Sequence, residues 1–280
     1  MSILAERRDG PFGARLTGVD LSRALSEPEI AHIRALWLEH KVLAFPGQTM
    51  NDDDLERFTV AMGGFGDDPF FEPIDGRENI AAILREADET SPLFAENWHS
   101  DWSFLDHPPA GTCLLAVDIP STGGDTLFAD QQAAFEALPD GRKAYLRGLT
   151  AIHSAQLAYA PEGAYGERDQ GRSMAIRPDE TARETKTHPL VQKHPETGAE
   201  SLYSTLGYII GIEGMEQSAA IALLSELAEW QSRDEFVYRH KWEADMLVMW
   251  DNRTVLHKAT GGYEGQRREL HRTTIAAWQP

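Results

Sequence analysis

A single cysteine occurs in the 280 residues, Cys113, so an intrachain disulfide is excluded and a reducing, cytoplasmic setting is the expectation. Cys113 sits in the apolar run Thr112–Val117, the context of a buried small hydrophobe rather than a nucleophile. No apolar run approaches membrane-spanning length, and the opening Met-Ser-Ile-Leu-Ala-Glu-Arg-Arg lacks signal-peptide architecture. Positive charge is scarce: 26 basic residues face 45 acidic ones, for a formal charge of −19. Such a surface repels phosphate backbones and anionic lipid, which argues against nucleic acid or membrane as a partner. Pro/Ser-rich linkers, low-complexity tracts and internal repeats are also missing, so one domain over 1–280 is expected. A hydrophobic content of 41% is ordinary for a globular chain of this length.

What is there centres on Asn97-Trp98-His99-Ser100-Asp101-Trp102. In an extended strand, side chains two apart share a face, so His99 and Asp101 can reach one point. An imidazole and a carboxylate at one point begin a site for a borderline divalent metal such as Fe(II) or Zn(II). The third ligand comes from elsewhere in the chain, and His257 is the strongest candidate. It follows Met246–Trp250, which reads as a buried strand, and precedes a Gly-Gly loop. The remaining cations cluster usefully at Arg267, Arg268 and Arg272, where an acidic protein can hold an anion.

Along the chain, Ser26-Glu27-Pro28-Glu29 is a capping box that starts a helix carrying Ile30, Ile33 and Trp37. Val42–Phe45 is a buried strand. Asn51 caps a second helix, with Asp52, Asp53 and Asp54 placed against its dipole rather than around a metal. Strands are expected near 80–84, 112–119, 126–129, 236–240, 246–250 and 270–277. Asp130 caps a helix through Leu138, another spans 141–149, and Ile221, Leu224, Leu227 and Ala228 stripe a helix over 217–231. Residues 155–187 are polar with little periodicity, the signature of a lid or binding insertion. His188 and His194, each followed by proline, read as structural. Strands with helices gathered on one side predict an α+β fold.

Trp98–Phe104, Pro108-Pro109-Ala110-Gly111-Thr112, Gly123-Gly124-Asp125-Thr126, Trp250-Asp251-Asn252-Arg253 with His257, and Arg267–Thr274 occur in that order. In this ordered set the chain resembles the taurine dioxygenase/2,4-D dioxygenase family of Fe(II)- and 2-oxoglutarate-dependent oxygenases, from about Gly13 to Ile275. The resemblance implies a double-stranded β-helix, or jelly roll, with bracing helices. It implies His99, Asp101 and His257 as ligands of Fe(II), with 2-oxoglutarate and O2 as cosubstrates. Arg268 stands where the family binds the distal carboxylate of 2-oxoglutarate, a task that suits a planar guanidinium. Thr126 matches the hydroxyl that helps bind the same molecule. Arg272 matches the arginine that holds the anionic group of the primary substrate in sulfonate-oxidising relatives.

The intact Asp101 favours hydroxylation over halogenation, because related halogenases replace that acid with a small residue. Taurine-type members carry a histidine soon after a Phe-Gly pair, where this chain has Phe65-Gly66-Asp67-Asp68-Pro69-Phe70-Phe71, and an asparagine where it has Ala95. With Phe70, Phe71, Trp102 and Phe104 as expected pocket walls, the substrate is a small anionic acid, a carboxylate or sulfonate with a hydrophobic body. Its hydroxylation would release succinate and CO2, with fragmentation if the carbon bears a heteroatom. Two other classes stay open at this point: a zinc hydrolase or lyase on a β-barrel, and a non-catalytic binding protein of the same fold. Oligomeric state, a homo-oligomer included, is not set by the sequence.

Overall fold

A computed structural model describes residues 3–7 and 10–277. Its main feature is a seven-stranded sheet that runs Leu4–Arg7, Ala14–Thr17, Val42–Phe45, Leu247–Asp251, Gly111–Asp118, Arg268–Ile275 and Ala81–Arg85 from edge to edge. All neighbours are antiparallel except 14–17 beside 42–45. A second sheet pairs Val237–His240 and Val255–Ala259 with the two edges of Thr126–Asp130.

The central strands are apolar on both sides, because each side meets a different layer. Leu43, Phe45, Cys113, Leu115, Leu247 and Met249 pack with Ile33, Trp37, Leu55 and Phe58 of the helices Glu27–His40 and Asp52–Met62. The alternate residues Val42, Ala44, Leu114, Val248, Trp250 and Leu270 turn inward and pack with Phe128, Tyr238 and Val255 of the second sheet. The inner face is therefore the space between two sheets, and the polar groups described below open into it.

Local signals fix the bracing helices. Glu29 reaches back to the Ser26 backbone N–H at 2.8 Å, closing the first helix's N-terminus. Asn51 and Asp54 exchange side-chain to backbone bonds at 3.0 Å at the start of the second. Asp52 accepts from His271 Nδ1 at 2.6 Å, so the acidic turn also ties the helix to the sheet. Asp130 caps Gln131–Glu136 as expected.

Several expectations need correction. Ile221 is 52% exposed; the Gln217–Gln231 helix buries Leu224 and Leu227 as expected, but Ala220 and Leu223 complete the stripe in place of Ile221. Val255–Ala259, Thr150–Ser154 and Ile209–Ile212 are strands that short mixed sequences did not disclose. The 155–187 segment holds a short helix, Gln156–Tyr159, and a 3-10 turn, Glu180–Arg183. It buries Ala155, Tyr159, Ala160, Met174 and Ala182 against the aromatic cluster of Phe70, Phe71, Trp102 and Phe104.

Candidate metal and anion site

His99, Asp101 and His257 converge: one donor atom from each lies within 4.8 Å of the other two, and all three residues are buried. The route differs from the expected strand. Residues 100–105 are not extended; only His99 makes a bridge, to His257, and a turn follows. The two histidines exchange backbone hydrogen bonds, at 3.1 Å from His99 N and 2.8 Å from His257 N. Ala95 (φ 57°) and Trp102 (φ 48°) bracket the segment in left-handed backbone, a strained state for residues with side chains. That curl aims Asp101 at the same point by bending the chain instead of alternating along it.

His99 Nε2 and His257 Nε2 lie 3.8 and 3.7 Å from Asp101 Oδ1. Cis donors around an ion with bonds near 2.1 Å stand about 3 Å apart, so each imidazole needs to close on Asp101 by less than an ångström. The His99 ring is oriented by Nδ1–H donating to the Asn97 carbonyl at 2.8 Å, which leaves the Nε2 lone pair free for a cation. Burial lowers the pKa of His99, and burial with the neighbouring His99 takes His257 down to about 3. Both imidazoles are neutral at pH 7, the form that ligates. For Asp101, burial acts upward, yet His257, Arg272, His99 and the Thr112 hydrogen bond together hold it below the usual carboxylate range.

Asp101 is oriented by a directed chain of donors. Trp250 Nε1–H donates to Asn252 Oδ1 at 2.8 Å, which turns the Asn252 amide so that Nδ2 donates to Thr112 Oγ1 at 2.9 Å. Thr112 must then spend its own proton on Asp101 Oδ2, at 2.6 Å. Thr112 lies opposite Trp250 in the sheet register, which sets these groups side by side. Thr112 and Asn252 both stand within the ordered motifs of the sequence, which by themselves give neither a role. Their signal was membership of those motifs; their pairing needs the register.

The cavity beside the triad is lined by Ile83, Leu84, Leu93, Phe94, Met174 and Leu270 among its apolar residues, and by Thr126, Arg268 and Arg272. Thr126 lies opposite Ala259, two residues along from His257, so both reach the cavity from neighbouring strands. Thr126 Oγ1 accepts from Trp242 Nε1 at 3.0 Å. Arg268 and Arg272 both point inward from one strand, on the same face as Leu270. Two further guanidiniums on the wall are paired, Arg85 with Glu89 at 3.2 Å and Arg172 with Asp169. Arg268 is not. It is buried, donates once to the Gly124 carbonyl at 3.2 Å, and leaves Nε without a partner and no carboxylate within salt-bridge range among the described residues.

Phe70, Phe71, Trp102 and Phe104 are not among the residues lining this cavity. They pack on one another and on Tyr159, with Phe70 and Tyr159 stacked at 4.8 Å. Large rings of this kind are satisfied by core contacts, and Trp102 is 1% exposed. Their link to the site is through Arg272, whose guanidinium carbon sits 4.4 Å from the Phe71 ring centre and 4.9 Å from that of Trp102. Of the expected cation cluster, Arg267 does not join the site: it turns outward to Glu86, Asp118 and Glu269. His194 is held by Asp251 at 3.0 Å and His188 by the Leu105 carbonyl at 2.9 Å, so both are structural.

The family model for the "Taurine catabolism dioxygenase TauD, TfdA family" matches residues 5–274. The chain belongs to this family. It is 35% identical to an alkylsulfatase of Acinetobacter baylyi, over 95% of this chain and 83% of that one. It is 34% identical to an alpha-ketoglutarate-dependent 2,4-dichlorophenoxyacetate dioxygenase of Cupriavidus pinatubonensis, over 98% of both. Among solved structures, AAD-2 in complex with Mn(II) and N-oxalylglycine superposes with a TM-score of 0.81 at 29% identity, over 100% of this chain and 99% of that one. The protein is thus an alpha-ketoglutarate-dependent dioxygenase, an oxidoreductase that uses Fe(II), 2-oxoglutarate and O2. The donor set suits that metal: two neutral imidazoles and one ionised carboxylate on one side leave the other positions open.

Proposed function

We propose that this dioxygenase hydroxylates a small organic acid with a hydrophobic body, a carboxylate, sulfonate or sulfate ester, releasing succinate and CO2. The observation that carries the reading is Arg268, a buried guanidinium with no carboxylate partner among the described residues, facing the same cavity as His99, Asp101 and His257. A buried cation of this kind calls for an anionic partner, and the distal carboxylate of 2-oxoglutarate supplies one.

In this reading His99, Asp101 and His257 hold Fe(II), which when bound supplies the activation of O2 by oxidative decarboxylation of 2-oxoglutarate. Arg268 fixes the far end of that cosubstrate by a charge-assisted pair, and Thr126, whose oxygen already accepts from Trp242, offers its own proton to the same carboxylate. Arg272 receives the acid group of the primary substrate. Leu93, Phe94, Met174 and Ile83 shield its apolar part from water. Met174 and Arg172 bring the 155–187 segment to the wall, which supports reading that insertion as the lid of a single domain.

The double-stranded β-helix is part of the proposal, supported by two facing antiparallel sheets with the site between them. A cytoplasmic setting is supported by the sole, buried Cys113. The relatives named above for an alkyl sulfate and a phenoxyacetate activity favour such acids here over taurine. The test is a screen of acids scored by substrate-dependent succinate release. Hydrophobic sulfates, sulfonates and aryloxy acids should stimulate it strongly; selective turnover of taurine would contradict the pocket reading.

A further inference from the structure

Arg272 already has an anion. Its Nη2 lies 2.7 Å from both carboxylate oxygens of Asp68, a residue that sequence reasoning passed over. The guanidinium is buried, held between the Phe71 and Trp102 rings, and shows Nη1 to Asp101 Oδ1 at 3.9 Å. Its Nε is buried without a partner among the described residues, so Arg272 keeps donor capacity that Asp68 does not use.

The two partners are not held alike. Arg272 lies within a strand paired on both sides and cannot follow a departing carboxylate. Asp68 lies in a loop, between exposed Asp67 and Pro69. That loop is pinned before it, by Gly66 N–H to the Thr274 carbonyl at 3.0 Å, and after it, by Arg177 N–H to the Phe70 carbonyl at 2.9 Å. Between the pins neither Asp68 nor Pro69 makes a backbone-to-backbone hydrogen bond among the described residues. Arg177 is the next cation acting on Asp68; its half-exposed side chain donates from Nη2 to the Phe71 carbonyl at 2.7 Å and reaches Glu72 at 3.4 Å. Asp68 therefore lies in a stretch free of backbone pairing, within the field of a second cation.

Charge balance gives the pair a consequence. A divalent metal and the Arg268 and Arg272 guanidiniums are matched by Asp101, Asp68 and the two carboxylates of 2-oxoglutarate. With Asp68 in place the loaded cavity is neutral, and an incoming acid finds no excess positive charge. Without Asp68, Arg272 in a cavity lacking substrate would face only Asp101, the carboxylate the metal needs.

We propose that Asp68 is an internal stand-in for the substrate's acid group, occupying Arg272 until a carboxylate, sulfonate or sulfate displaces it. It thereby sets the affinity and selectivity for acids while keeping Arg272 from drawing on Asp101. This rests on the reading of Arg272 as the substrate's anion seat.

The test uses the protein loaded anaerobically with Fe(II) and 2-oxoglutarate, whose charge-transfer absorption reports an intact site. Hexyl sulfate, hexanesulfonate and 2,4-dichlorophenoxyacetate are titrated as acid probes, with hexanol as the uncharged control, and binding is read from the perturbation of that band. Asp68→Asn should bind the acids about ten-fold more tightly than the wild type, because no internal ion pair has to break first. Hexanol binding should not change, and adding Arg272→Ala should cancel the gain. Asp68→Ser serves equally if the asparagine variant is unstable. Unchanged or weaker acid binding by band-forming Asp68 variants overturns the proposal and leaves the enzyme reading standing. Absence of the band from wild type and variants alike overturns both.

Discussion

Thr112 Oγ donates to Asp101 Oδ2 at 2.6 Å, and the same oxygen accepts from Asn252 at 2.9 Å. Because the amide N–H can only donate, the Thr112 proton has one direction left, towards the carboxylate. Asp101 is thereby held with Oδ1 towards the two imidazoles. Thr112→Val keeps the shape but removes this donor, and metal affinity should fall by about 10–100-fold, as for other partners of ligating groups. Thr112→Ser should retain most of it. Titration with Fe(II) or Mn(II) decides the matter; equal affinity for the valine variant would show that the bond is incidental.

Arg268→Ala removes the one lining guanidinium that has no carboxylate of its own among the described residues. The loss of such a charge-assisted contact costs about 2–5 kcal/mol, so the 2-oxoglutarate requirement should rise by well over ten-fold. Succinate formation measured against 2-oxoglutarate concentration gives the answer. An unchanged requirement would remove Arg268 as the anchor.

Asp251 is buried with Arg253 at 2.7 Å and His194 at 3.0 Å. Burial acts to raise its pKa, but Arg253 and His194 prevail and bring it to about 2 from an unfolded value of 3.8. A depressed carboxyl contributes stability above its unfolded pKa and loses it as pH falls through the folded one. The contribution is on the order of 2 kcal/mol at neutral pH. Asp251→Asn should therefore lower stability to urea at pH 7, and the gap from wild type should narrow between pH 4 and pH 3. A gap of constant size across that range would contradict the ion-pair account.

Cys113 is fully buried on the helix side of the sheet, and burial raises its thiol to about 12. It should resist thiol reagents at pH 8 in the native protein and react promptly in denaturant. Since the unfolded thiol titrates near 9, stability should also decline as pH climbs above that value. Prompt labelling of the native protein would mean that this layer opens readily.

Much of this was legible in the sequence where the cause is local. Asn51 and Asp130 announce their helices because capping needs only a few neighbouring residues. His99, Asp101, His257, Thr126, Arg268 and Arg272 could be named as a set from ordered motifs, and they do face one cavity. What was not legible depends on pairing across the chain. The Asp68–Arg272 contact joins residues 204 apart in sequence, and the Asn252–Thr112 contact joins residues 140 apart. Aromatic character alone likewise could not tell a cavity wall from the core beneath it. Phe70 and Trp102 went to the core, while Phe94 and Met174, from less regular stretches, took the wall.

The central claim is that His99, Asp101 and His257 hold Fe(II) beside a 2-oxoglutarate seat built from Arg268 and Thr126. Anaerobic addition of Fe(II) and 2-oxoglutarate to the purified protein tests it most directly. The account predicts a visible metal-to-ligand charge-transfer band that needs both additions and is lost in His99→Ala and Asp101→Ala. No band in the wild type, or an undiminished band in both ligand variants, would contradict it.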